Sequence, residues 1–194
     1  MMFGRLKLKD YSGLLMALIP KYRVMSVGEY LEMPPVGNVA VIVHPVHKMV
    51  ERVSAMALVE KRLGLRATYY FSWDPKAVHW AGTGESRFGN FPELAVVEAK
   101  LYGHEVGYLP DGDDHVARLE RLGTLVPVRT SYLEVPDMMG GPWSPEFSGF
   151  LRVGQSSKGW SVDGARSNLG KVVELLKSGK HDCVILTMDP SGWK

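Results

Sequence analysis

Residues 38–43, NVAVIV, constrain the chain more than any other stretch, because the run is nearly all apolar. A strand that covers one face of a core alternates polar and apolar residues. One that is apolar throughout is buried on both faces, the situation of a parallel strand flanked by crossover helices. The next segments fit that setting. Met49, Val53, Met56, Ala57 and Leu63 recur at helical spacing over residues 49–63, and Gly64 stops the helix. LRATYYFSW, residues 65–73, is then rich in strand formers.

The same alternation runs to the end of the chain. Residues 10–21 read as a helix entered from Asp10, and SVGEYLEM (26–33) as a further helical turn. A glycine-containing loop, AGTGESRFGNF, leads to Pro92 and a helix reaching Gly103. HEVGYL (104–109) is the next strand, DHVARLERLG (114–123) a short helix, and TLVPVRTSYL (124–133) a strand-like run. Residues 134–164, rich in Pro, Gly and Trp, read as irregular; residues 165–178 read as a helix, and DCVILTM (182–188) as the closing strand. The pattern predicts an α/β fold with a largely parallel sheet. With 194 residues, 45% of them hydrophobic, the chain has material for one core, hence one domain over 1–194.

Composition removes several classes of function. A formal charge of +2 with scattered basic residues gives no footprint for nucleic acid. The single cysteine, Cys183, rules out an internal disulfide and lies in the apolar run CVILTM, where it reads as core rather than nucleophile. No apolar stretch approaches the roughly 18 residues that span a bilayer. LLMALI, ahead of Pro20, is too short for a secretion signal, so a cytoplasmic protein with no membrane partner is expected. There is no Gly-x-Ser-x-Gly elbow, and GTGESRFG lacks the spacing of either phosphate-binding glycine motif.

In parallel α/β sheets, ligand chemistry gathers at the carboxyl ends of strands. Here those ends carry residues 44–47, 72–74, 108–114, 129–132 and Asp189. His44 and His47 could supply two metal ligands, with Asp113, Asp114, His115 or Asp189 completing the set; they could equally be hydrogen-bonding histidines, because Pro45 breaks the geometry between them. Asp113 or Asp114 could instead cap the following helix. Trp143, Phe147 and Trp160 suit either a sugar-stacking surface or a hydrophobic lid.

Three separated segments carry a resemblance. VIVHPVHKMVERVSAMALVEKRLGLRATYYFSW, KLYGHEVGYLPD and CVILTMDPSGWK together resemble polysaccharide deacetylase-like proteins of the NodB-homology superfamily, in the branch whose first motif is His-Asp-Val-Asp. The resemblance implies a distorted (β/α) barrel of about seven strands, with residues 1–37 as a helical extension packed on it. It also implies a divalent metal, often zinc, held by one Asp and two His beside a general-base Asp, for removal of acetyl groups from amino sugars.

Position by position, the chemistry is replaced. Pro45 stands where the family has its base, His47 at the ligand Asp, Leu109 at the first ligand His and Asp189 at the late proton-donating His; the second ligand His falls near Asp113. Framework residues Thr68, Gly103, His104, Glu105, Gly107, Pro190 and Trp193 are kept. The expectation is a deacetylase-like domain without the family reaction and without a cofactor. Its candidate pocket comprises His44, His47, His104, Asp113, Arg129 and Asp189, and its expected ligand is a carbohydrate or other small polar molecule. The competing expectation is an enzyme with a rebuilt zinc site on His44, His47, Asp113 and Asp189. A third is a homo-oligomer assembled through residues 134–164.

Overall fold

The structure is a computed structural model that describes residues 7–33, 35–46, 50–72, 78–80, 86–88, 92–109, 115–128, 151–156, 159–163 and 165–190. Residues 78–80, 86–88, 115–118, 155–156 and 159–160 are described by their backbone alone.

The apolar run forms β2 (Val39–Val46), buried along its whole length. It is the hub of an eight-stranded mixed sheet. β3 (Thr68–Phe71) and β6 (Glu105–Tyr108) lie outward on one side, and β10 (Cys183–Met188) and β7 (Leu151–Ser156) on the other, all parallel. The short strand β1 (Arg23–Met25) shares an edge of β2 with β3: β1 pairs with residues 39–41, β3 with residues 43–46. β8 (Gly159–Val162) and β9 (Ala165–Ser167) continue antiparallel from β7. β4 (Val78–Trp80) and β5 (Ser86–Phe88) pair antiparallel as a separate two-stranded sheet.

The pleat of β2 sorts its side chains onto two faces. Ala40, Ile42 and Val46 join one core with Tyr69, Phe71, Val106, Tyr108, Val153, Val184, Leu186 and Met188. Five helices pack on that face: α1 (Leu8–Leu18), α3 (Val53–Arg62), α4 (Glu93–Leu101), α5 (His115–Leu125) and α6 (Leu169–Ser178). Val39, Val41 and Val43 point the other way, into a smaller cluster with Tyr70, Leu109 and Ile185. Among the described residues, that second face is met by one short helix, α2 (Val27–Glu32), through Val27.

Residues 1–37 were expected as an extension packed on the domain. In the described part, α1 buries Tyr11, Leu14, Leu15 and Leu18 completely. At about 1.5–3 kcal/mol for each large apolar side chain removed from water, such a helix is an integral part of the core.

Three expectations about local structure are corrected. Residues 134–164 are not irregular throughout, since β7 and β8 occupy residues 151–156 and 159–162; residues 134–150 lie outside the described set. The last helix does not begin at residue 165: β9 comes first, and Asn168 caps α6 by accepting from the Lys171 N–H. Thr124 and Leu125, read as the start of a strand, complete α5. The α/β class and the largely parallel sheet are as expected; the sheet is mixed and, among the described residues, not closed, with β6 and β9 as its ends.

Candidate functional site

Among the described residues, two polar centres lie on or beside the sheet, and the strand ends make a third region. The most deeply buried is on the helix-covered face. Glu60 falls on the inner side of α3 because it continues the Val53, Met56, Ala57 stripe at helical spacing, and it is fully buried. Its Oε1 lies 2.7 Å from His44 Nε2 and also accepts from the Tyr11 hydroxyl. Its Oε2 accepts from the Tyr69 hydroxyl at 2.7 Å and lies 3.5 Å from His104 Nδ1. His44 Nδ1 reaches the Met188 carbonyl at 3.0 Å, and the His44 ring stacks on Tyr69 with centroids 4.3 Å apart. His104 donates from Nε2 to the Ala57 carbonyl at 2.9 Å and accepts at Nδ1 from the Ala67 N–H at 3.2 Å.

Burial and charge act in opposite directions here. Burial pushes the Glu60 carboxyl up, but the charge and hydrogen bond of His44, then His104 and the Tyr11 hydroxyl, outweigh it and hold the group below its ordinary value. Burial depresses His104, against an opposing pull from Glu60 and the Ala57 carbonyl. Tyr11 and Tyr69 are raised well above the ordinary phenol value, first by burial and then by Glu60.

The second centre sits on the other face, at the amino ends of β3 and β6. Glu105 Oε2 accepts from the Gly28 N–H at 2.7 Å and from the Thr68 hydroxyl at 3.0 Å. Thr68 Oγ1 in turn accepts from the Val27 N–H at 2.8 Å. Strand side chains thus satisfy two amides of the first turn of α2 that the helix itself leaves free. A Cβ at Gly28 would stand 2.8 Å from Glu105 Oε1, so a larger residue there would push aside the carboxylate that the Gly28 N–H and the Thr68 hydroxyl hold.

The third region is the carboxyl end of the strands on that same face, where ligand chemistry was expected. Pro45 is buried there, paired in register with Tyr70. Leu109 packs with Val43 and Tyr70 in an apolar cluster. Thr187 and Ser72 are buried polar neighbours in the strand-end segments, and Asp189 is half-buried just beyond β10. The Arg52 guanidinium donates to the Pro190 carbonyl at 3.3 Å, tying the segment after β10 to the start of α3.

Of the candidate pocket residues, the structure brings together His44 and His104, but around Glu60 behind the sheet and away from the strand-end face. Both ring nitrogens of His44 are engaged within the protein, which leaves neither for a metal. Asp189 directly follows Met188, whose carbonyl meets His44 Nδ1. His47, Asp113 and Arg129 lie outside the described residues, as do Trp143 and Phe147 of the expected assembly surface. Among the described residues no group of three or more His, Cys, Asp or Glu is placed to hold a metal ion. No helix in the described residues is long and apolar enough to cross a membrane.

Glu60, Tyr11 and Tyr69 were not anticipated as members of a polar centre. The signal for Glu60 was present in the sequence, as a carboxylate in the middle of an apolar helical stripe. Comparison with protein-family models, with curated proteins and with solved structures finds no match to this chain.

Proposed function

We propose that the chain is a deacetylase-like α/β domain of the (β/α)-barrel type that has given up metal-dependent deacetylation and uses its strand-end mouth to bind a polar ligand, with carbohydrate the leading class. We assign it to the cytoplasm. The observation that carries this reading is the apolar lining of the strand ends. Pro45 and Leu109, at the positions of the family's base and first metal ligand, are buried there beside Val43 and Tyr70. A proline can neither accept a proton nor ligate, and a leucine cannot hold a cation. Activation of water, worth orders of magnitude in rate, has no group to perform it at those positions.

Two features support the barrel form. The parallel strands follow chain order around the sheet, with the last, β10, against the first long one, β2. The five long helices lie on one face, as in a barrel wound in one sense, whereas a doubly wound sheet carries helices on both. The rebuilt-site reading loses His44 as a ligand and would rest on His47, Asp113 and Asp189.

The test is zinc-loaded protein incubated with N-acetylated sugar oligomers, with acetate assayed and thermal stability followed in parallel. The expected result is no acetate above a protein-free control and a raised melting temperature with at least one glycan. Acetate release that disappears in His47→Ala would overturn the loss of hydrolysis in favour of the rebuilt site. No shift across the glycan panel would overturn the binding assignment.

A further inference from the structure

The hydrogen bonds around Glu60 define the protons they contain. His44 Nδ1 faces the Met188 carbonyl oxygen, an obligate acceptor, so it must carry a hydrogen. Nε2 faces Glu60 Oε1 at 2.7 Å, so one proton lies between them. That carboxyl also receives both tyrosine hydroxyls, one on each oxygen. A group accepting on both oxygens is best served as a carboxylate, and Glu60 is held below its ordinary value by its neighbours. Among the described residues, the counter-charge then has one source. Tyr11 and Tyr69 are neutral phenols. His104 accepts at Nδ1 from the Ala67 N–H, which makes it a neutral ring protonated at Nε2. A fully buried carboxylate without a cation is prohibitively costly, and His44 is the remaining member of the cluster able to be one.

We propose that His44 is an imidazolium, protonated on both nitrogens and paired with the Glu60 carboxylate, forming a buried ionic joint between sheet and helices that is closed to metal. Its surroundings fit that charge on every side. Tyr11 comes from α1, Glu60 from α3, the Met188 carbonyl from β10, and the Tyr69 ring stacks against it from β3. Among the described residues, the remaining titratable group at the cluster is His104, which sits on the opposite oxygen of Glu60 and also feels the Arg66 charge. This inference does not depend on what the strand-end mouth binds.

The experiment is nitrogen NMR of the full chain labelled on its histidines, at pH about 7.5, where a solvent-exposed imidazole is mostly neutral. The unmodified protein suffices, because His44 is assigned through space from its joint contact with the Tyr11 and Tyr69 rings, whereas His104 meets the Tyr69 ring edge-on. The expected spectrum gives His44 both ring nitrogens in the protonated range and two ring N–H signals protected from exchange, whereas His104 shows one. Zinc added in excess leaves the two His44 signals in place. A single N–H on His44, with its second nitrogen unprotonated, would put the proton on Glu60 and overturn the proposal. Loss of the signals on adding zinc would overturn it as well.

Discussion

His44 Nε2 and Glu60 Oε1 face each other at 2.7 Å, across a strand-to-helix contact that no solvent reaches. The pair converts the most conspicuous motif of the sequence, a His-Pro at a strand end, into an internal support. Removing one partner strands a buried charge; removing both does not. Glu60→Leu is therefore expected to cost about 3–5 kcal/mol, and the double change His44→Leu with Glu60→Leu to cost less than the sum of the two singles. Urea unfolding of the four proteins provides the cycle, and strict additivity would contradict the pairing.

Falling pH should withdraw two contributions to stability, one from His104 and one from Glu60. His104 titrates below its ordinary value of 6.5 in the folded chain, so the unfolded chain takes up that proton first. The stability it contributes is complete above 6.5 and is lost as pH falls through the folded value. Glu60 lies below its ordinary 4.5, so a second contribution is lost as pH falls from there through its folded value. His104→Gln should flatten the upper stage and Glu60→Gln the lower. Denaturant midpoints of the unmodified protein and of each variant across pH check both, and a His104→Gln profile that stays parallel to the unmodified one below pH 6.5 would refute the upper stage.

The contact between Gly28 and Glu105 has no room for a methyl group. Gly28→Ala should cost about 1–3 kcal/mol through overpacking against a buried carboxylate. In a Glu105→Asp background, with the carboxylate drawn back, the alanine should cost less. Thermal unfolding of both pairs distinguishes this from a change in helix propensity, which would favour alanine in either background.

Asn168 offers a simpler case. Its side chain accepts from the Lys171 N–H at 3.0 Å and begins α6 directly after β9. Asn168→Ala should cost about 0.5–2 kcal/mol, and Asn168→Asp should be tolerated. Circular dichroism melts measure both.

Much of this architecture was legible in the sequence where apolar residues were dense. The runs at 38–43 and 182–188, and the helix over α3, announced themselves because burial on two faces leaves no room for polar residues. β7 to β9 were missed for the opposite reason: LRVGQS offers two buried apolar residues, and ARS has none buried and is held by pairing alone. Thr124 and Leu125 looked like strand and are helix, a case of context overriding local preference. At the site, period-two alternation already separates His44 from Pro45 onto opposite faces. Which face the helices would cover is a property of the whole topology, so a local reading left His44 among the ligand candidates. Glu60 was visible in its stripe, but its partners come from Tyr11, 49 residues away, and from Tyr69 and His104 in other elements.

β10 lies between β2 and β7, and its Met188 carbonyl meets a histidine 144 positions earlier in the chain. During synthesis, therefore, the middle of the sheet stays unzipped until residues 183–188 have emerged. Until then β2 carries an open edge flanked by apolar surface, the kind of edge that pairs with a neighbouring molecule. Long-range pairing of this sort is slow to form, and the intermediate that awaits it is prone to aggregate. A nascent chain stalled before Cys183 should be captured by chaperones or lost to precipitate, and release of the final strand should end that exposure.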